Sequence, residues 1–363
     1  MSQLALVLEC ETQFISSRLS LIFAPAAGKQ TIRLLPIPEP KEGYVQVRIE
    51  AAAINPLEYK IYDFAHSFIE KYPTVLGVDA AGEVTKLGPG DTKFKVGDRV
   101  MGLCTPNSRE GVGSGERGAF QQYTLADVRF TAKIPANIDY DSAASFPVAA
   151  NTAAGALYGQ LKFTEPWLDG GEGAHNGEKI VILGGSSSVG CYAIQLAVLS
   201  GFEVTTTSSL AHFAYLQSLG ATTVIDRSAS DAAEQILGAT GAPVKYVVDA
   251  ISSVSTQLLG VDIVQPKGTI ALVLNPQAPA QAAADAKEIT LSRGQYFSPG
   301  FWNSVESYVG RGVLRLNRTT VLLGGLKAWE EGFDLHRKGR VSGTKIVMRP
   351  LDTNLDQVVT SVL

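Results

Sequence analysis

The chain has 363 residues, 45% hydrophobic and 18% charged, with a net charge of −4. That is enough for two ordinary domains with their own cores, and it argues against a disordered protein. There is no basic stripe to gather phosphates and no apolar run of membrane-spanning length, which argues against nucleic acid and membrane as partners.

In chain order, the first residues, MSQLALVLECETQF, lack the basic start, long apolar run and cleavage site of a targeting peptide. The three cysteines, Cys10, Cys104 and Cys191, lie far apart, which suits a reducing compartment; a cytoplasmic protein is expected. Up to about residue 140 the text consists of short β-like runs: Val45–Glu50, Gly82–Leu87, Asp98–Leu103 and Phe120–Leu125. Turns such as Gly88-Pro89-Gly90-Asp91 and Val96-Gly97-Asp98 separate them, predicting an antiparallel, barrel-like domain.

From Asp141 an Ala-rich helical stretch leads to a polar, glycine-containing segment, Glu165–Lys179, expected as a surface loop. Strand and helix then alternate. Lys179–Leu183 precedes a helix over Val189–Ser200, and Phe202–Thr207 precedes His212–Leu219. Thr223–Ile225 precedes Asp231–Leu237, Tyr246–Ala250 precedes Ser253–Leu259, and Thr269–Leu274 follows. This grammar predicts a doubly wound parallel sheet covered by helices on both faces. A further helix over Phe301–Gly310, the segment Gly332–Gly339 and a final strand Lys345–Met348 make a tail too short to fold alone. It is expected to return to the first domain. The predicted division is residues 1–145 with 300–363, and 146–299 as the nucleotide-binding domain.

The stretch KIVILGGSSSVGCYAIQLA, residues 179–197, has the strand–turn–helix context of a dinucleotide fingerprint. Gly184 and Gly185 allow the turn, and Gly190 lets the helix approach the strand. The pyrophosphate is expected at the helix start, near Val189. Ser187 stands where the middle glycine is usual, and the hydroxyls of Ser186, Ser187 and Ser188 can donate to phosphate. The second strand ends in Thr207-Ser208-Ser209 without the acid that would hold the 2′-hydroxyl of NAD, which favours NADP(H). His212 and Arg227 are candidate 2′-phosphate contacts; the alternatives are an ordinary helix-start residue and a solvated surface charge.

These residues resemble the zinc-free quinone oxidoreductase-like branch of the medium-chain dehydrogenase/reductases, most closely the fungal trans-acting enoyl reductases that accompany polyketide synthases. The resemblance runs through Ala53-Ile54-Asn55-Pro56 with Lys60, Leu76–Gly82, Val96–Val100, Gly118-Ala119-Phe120 with Tyr123, and Ala132–Pro135. It continues in the nucleotide turn and Gly343–Val347. It implies a discontinuous GroES-like β-barrel domain plus a Rossmann domain, with the active site between them. Val78-Asp79 stands where zinc relatives have a His-Glu pair. The three cysteines and four histidines (His66, His175, His212, His336) are too scattered for a tetrahedral site, so no metal is expected.

By the same resemblance, Asn55, Lys60 and Thr152 lie near the nicotinamide, with Lys60 contacting its ribose or supplying a proton. Asn275 is expected at the same end of the cofactor, and Lys345 is expected to close over it. Mitochondrial enoyl thioester reductases use a tyrosine after their Asn-Pro pair, which makes Tyr59 a candidate. In β text Tyr59 and Lys60 face opposite sides. Asn55-Pro56 can equally shape a turn, and Asp79, within apolar text, reads as hydrogen-bonded and structural. The loop Cys104–Gly118 and the aromatics Tyr296, Phe297, Phe301 and Trp302 are candidate substrate borders, or respectively solvated loop and core.

The expected activity is NADPH-dependent hydride transfer to an activated C=C bond in an apolar conjugated carbonyl, free or carried on an acyl carrier domain. A quinone reductase is the alternative, and a non-catalytic NADPH-binding protein a second. Monomer and homodimer both stay open. Related dimers join through an edge strand, expected here near Thr269–Leu274, which Pro276–Ala286 would blunt.

Overall fold

The computed structural model of the chain describes residues 2–12, 25–64, 73–90, 92–104, 116–294, 296 and 298–354, with backbone alone for 9–12 and 25–29. It divides into two compact units, Met1–Pro147 with Arg318–Leu363, and Val148–Asn317.

The first unit opens with β1 (Ser2–Thr12), β2 (Pro25–Pro36), β3 (Tyr44–Ile54), α1 (Pro56–Phe64) and β4 (Thr74–Val75). It continues through β5 (Asp79–Leu87), β6 (Arg99–Leu103), β7 (Tyr123–Asp127), β8 (Thr131–Lys133) and α2 (Tyr140–Ala144). The segment after Asn55-Pro56 is thus a helix, where the β reading put Tyr59 and Lys60 on opposite faces. Pro56 stands at the first helical position, where its missing N–H costs nothing, and Glu58 reaches back to accept from the Asn55 N–H at 2.7 Å. Tyr59 and Lys60 are therefore neighbours about 100° apart around one helix.

The second unit holds α3 (Pro147–Ala154), which runs into a π-helical turn, Gly155–Gln160. Then come β9 (Lys179–Leu183), α4 (Ser188–Leu199), β10 (Glu203–Ser208), α5 (Phe213–Ser218), β11 (Thr223–Asp226) and α6 (Ala232–Thr240). β12 (Val244–Asp249), α7 (Val254–Ile263), β13 (Val264–Leu272), α8 (Ala278–Ala286), β14 (Thr290–Ser292) and α9 (Pro299–Gly310) complete it. The six strands are parallel in the order β11-β10-β9-β12-β13-β14. The winding reverses between β9 and β12. Aliphatic side chains such as Val181, Leu183, Val247, Ile270 and Leu272 are buried at its centre.

Two expectations change here. β13 is not an edge, because β14 pairs with it, and Pro276–Ala286 supplies the helix α8 rather than an interruption of an edge strand. Residues 300–317 belong to the second unit, not to the tail. Phe301, Trp302, Val305, Tyr308 and Val309 of α9 are buried. Trp302 Nε1 donates to Asn151 at 3.3 Å, Tyr308 OH to Glu172 at 3.0 Å, and Asn317 N to Tyr192 OH at 3.2 Å. Phe301 and Trp302, at 0% and 1% exposure, are core rather than channel wall. Phe297 lies outside the described residues.

The chain returns to the first unit as β15 (Thr319–Leu322), α10 (Trp329–Arg337) and β16 (Lys345–Met348). β16 pairs antiparallel with β3, setting Ile346 opposite Ile54 and Met348 opposite Ala52. The main sheet runs β15-β16-β3-β5-β6-β8, with β7 also on β3, and a second sheet runs β2-β1-β4. Leu6, Ile49, Leu76, Phe120, Trp329 and Phe333 form one core of this unit, so the tail completes it. No helix among the described residues is long and apolar enough to cross a membrane.

Candidate active site

In the second unit, the turn after β9 is held by β10. Gly184 N donates to Thr207 Oγ1 at 3.0 Å and Gly185 N to Thr207 O at 2.9 Å. Gly184 adopts φ +79°, open to glycine, and a Cβ on Gly190 would lie 2.3 Å from Gly184 O. Ser187 is the N-cap of α4, its Oγ accepting from Gly190 N at 3.0 Å. That takes a lone pair and leaves the hydroxyl proton free to donate outward. The side chains of Ser186, Ser188 and Val189 are half-buried at the same helix start, which offers an anion its amides and dipole.

At the end of β10, Ser208 is 1% exposed, and its Oγ has no hydrogen-bond partner among the described residues. Arg227 lies in the turn after β11, with its backbone N donating to Ser208 O at 2.9 Å and its side chain exposed. Asp226, level with Ser208 on the next strand, is turned into bonds with Ser228, which hold its carboxyl below the usual range. Ser209 starts the short turn Leu210–His212, where His212 is half-buried. No acidic side chain follows directly on β10.

Across the switch point, Asn275 follows β13 and is exposed. Thr152 is on α3, and its hydroxyl donates to Val148 O at 2.7 Å, so its remaining lone pairs can only accept. Asn151 is tied to Tyr296 O and Trp302. The segment Glu165–Lys179 is pinned by Gly173 N to Leu199 O at 3.0 Å and His175 N to Ser200 O at 2.8 Å.

In the first unit, a buried polar cluster joins β3, α1, β5 and β16. Lys345 Nζ pairs with Asp79 at 2.9 Å and donates to Asn55 Oδ1. Asn55 Nδ2 donates to Asp79 at 2.9 Å and to Glu58 at 3.3 Å, and Val78 N donates to Glu58 at 3.2 Å. Glu58 and Asp79 are fully buried and Lys345 is 3% exposed. Burial, with Asp79 beside it, raises the Glu58 carboxyl to about 7. Lys345 therefore cannot close over a cofactor as expected: leaving Asp79 would strand a buried carboxylate. Asn55 is likewise committed to three buried partners rather than presented to a substrate. Asp79 is hydrogen-bonded, as its apolar surroundings require.

Glu58 escaped the sequence reading, although Asn-Pro-Leu-Glu carries the spacing of a helix-start box. Thr207 escaped it as well; nothing in a threonine-rich strand marks the one that holds the turn. On α1, Lys60 is half-buried, and it forms no hydrogen bond or ion pair among the described residues. Desolvation lowers its pKa. Tyr59 is packed, its ring stacked on His336 at 6.4 Å with the Arg337 guanidinium 6.0 Å away. Among the described residues no three His, Cys, Asp or Glu side chains converge as metal ligands. His66 and residues 105–115 of the Cys104–Gly118 loop lie outside the described residues, as does the side chain of Cys10.

A family model described as the alcohol dehydrogenase GroES-like domain matches residues 41–136, and one described as zinc-binding dehydrogenase matches residues 188–307. The chain is 36% identical over 316 residues to the trans-enoyl reductase himH of Aspergillus japonicus, covering 84% of this chain and 89% of that one. Its fold is similar to that of an alcohol dehydrogenase superfamily protein from Novosphingobium aromaticivorans, with a TM-score of 0.75, 25% identity and coverage of 96% and 99%. It is also similar to that of the quinone oxidoreductase from Coxiella burnetii, with a TM-score of 0.72, 23% identity and coverage of 96% and 99%.

Proposed function

We infer the reaction from the family: the chain belongs to the medium-chain dehydrogenase/reductase superfamily and is an oxidoreductase built to use a nicotinamide dinucleotide. Within it we propose an NADPH-dependent, zinc-independent reductase of an activated C=C bond in an enone, enal or enoyl thioester. The kinship with a trans-enoyl reductase over most of both chains supports the reaction class. The observation that carries the cofactor preference is Ser208, a buried hydroxyl without a partner among the described residues, at the strand end where an acid would select NAD. Arg227 beside it supplies the positive charge a 2′-phosphate needs, and His212 is near in sequence.

When bound, the nicotinamide supplies the hydride. The start of α4, with Ser186, Ser187 and Ser188, holds the pyrophosphate. Thr152 Oγ1 is set to accept from an amide of the nicotinamide end, and the Asn275 side chain to bond there as well. We assign Lys60 to the substrate oxygen: half-buried and unpaired among the described residues, its ammonium stabilises a developing enolate and yields a proton more readily than an exposed lysine. Tyr59 we assign to the wall beside it. Zinc independence is supported by the commitment of Glu58 and Asp79 to Asn55 and Lys345 and of His336 Nε2 to Ile54 O at 3.2 Å.

The test is loss of NADPH absorbance against 2-cyclohexenone, crotonyl-CoA and 1,4-benzoquinone, with NADH in parallel and chelator present. Reduction of the enone or thioester with NADPH preferred is expected. Turnover of the quinone alone would reassign the acceptor, and equal use of NADH would remove the role given to Ser208 and Arg227. If only a carrier-bound enoyl group is reduced, an acyl carrier domain is the partner.

A further inference from the structure

Gln257, on α7, is fully buried, and its amide joins two loops at the carboxyl end of the parallel sheet. Its Nε2 donates to Ser252 O and to Asn275 O, both at 3.1 Å, while its Oε1 accepts from Gln277 N at 2.9 Å. Ser252, 2% exposed, stands at φ +57°, a conformation non-glycine residues adopt only when their surroundings impose it. What imposes it is visible. Asp249 Oδ1 accepts from Ile251 N at 3.0 Å and Ser252 N at 2.8 Å, and Ser252 Oγ donates to Asp249 O at 3.0 Å. The same Oγ accepts from Val273 N at 2.9 Å.

A third side chain completes the arrangement. The last pair between β13 and β14 is Ala271 with Ser292. At the next residue the Gln160 amide, from the π-helical turn, takes over, donating to Leu272 O at 3.3 Å and accepting from Leu272 N at 3.2 Å. Side chains thus hold the backbone of residues 272, 273, 275 and 277 past the end of the ladder with β14. Such a clamp suits a loop whose backbone must meet a ligand at a fixed distance.

The place points to the ligand part. In an open parallel sheet a dinucleotide lies outside the carboxyl ends, centred on the switch point, with one half on each side. The adenosine side is that of β10, so the side of β12 and β13 receives the nicotinamide. We propose that Gln257, Ser252 and Gln160 are positioning residues that fix the 250–253 and 273–277 loops against the nicotinamide half of the cofactor. They act through the backbone of those loops and do not touch the reacting atoms. The proposal rests on the cofactor reading above.

The experiment compares the whole dinucleotide with its adenosine half. Dissociation constants for NADPH and for 2′,5′-ADP, with kcat, are measured for the native enzyme, Gln257→Leu and Ser252→Gly. Glycine tolerates the +57° conformation, so Ser252→Gly removes the hydroxyl with little backbone strain and serves where Gln257→Leu fails to fold. Each variant is expected to bind NADPH about ten-fold more weakly and to lose kcat, with 2′,5′-ADP affinity kept within about two-fold. Equal loss of both ligands would mean general damage to the sheet, and no change in either would mean an idle network. Both results overturn the proposal while leaving the cofactor reading in place. A native enzyme that binds neither ligand overturns both.

Discussion

In the first unit, two carboxylates, an amide and an ammonium lie almost wholly out of water, each answered by the others: Lys345 by Asp79 and Asn55, Glu58 by two backbone amides. At the end of β10 in the second unit, Ser208 is just as deeply buried, yet its hydroxyl is answered by nothing among the described residues, and an exposed arginine stands beside it. A saturated polar cluster has nothing left to offer a ligand and serves the fold. A buried polar atom left over is where a ligand completes the count. Both places bury polar groups, and it is satisfaction that separates their roles.

The sharpest way to break that contrast is Lys345→Met. If the cluster is structural, the change strands Asp79 and lowers stability by about 3–5 kcal/mol. Thermal unfolding should show it, with the NADPH dissociation constant of the folded fraction nearly unchanged. Weakened NADPH binding in a protein of normal stability would return Lys345 to the cofactor.

Glu58→Gln probes the same cluster through pH. An acid raised to about 7 when folded, from 4.5, keeps its proton where the unfolded chain has lost it, so its contribution to stability falls as pH rises through that window. The variant cannot titrate there, and its stability relative to the native protein should climb on the order of 3 kcal/mol from pH 4.5 to 7. His336 has the opposite sign. Burial lowers it to about 4 from 6.5, so its contribution is lost as pH falls through that interval, and the slope should survive in the variant. Parallel curves for the two proteins would show that Glu58 does not titrate in this range.

Gly190→Ala moves the test to the second unit. The added Cβ would press on Gly184 O at 2.3 Å, so the turn must open, costing about 1–3 kcal/mol. Dinucleotide affinity should fall more than the stability of the first unit. The smallest effect is expected from Arg227→Ala: about a ten-fold rise in KM for NADPH and none for NADH, with stability unchanged. An equal change for both cofactors would make Arg227 a solvated charge.

The alternation of β runs with helical text made the parallel sheet legible, because period and turn chemistry are local properties. The glycine turn was legible for the same reason: Gly184 and Gly190 sit where backbone geometry admits no side chain. The helix α1 was missed although Asn55, Pro56 and Glu58 spell its start, because its first residues continue the apolar text of β3. The place of α9 was misjudged because only its contacts, such as those with Asn151 and Glu172, decide which unit it joins.

By itself, then, the sequence determined the two kinds of architecture, the nucleotide turn and the absence of an acid after the second Rossmann strand. Each depends on neighbours along the chain. Tertiary structure alone decided that Lys345 belongs to Asp79 and to Asn55, 290 positions away, that Lys60 has no partner among the described residues, and that Gln257 joins two loops. Whether a polar side chain is spent or available depends on what folding brings within about 3 Å of it, and that distance is not written in the order of residues.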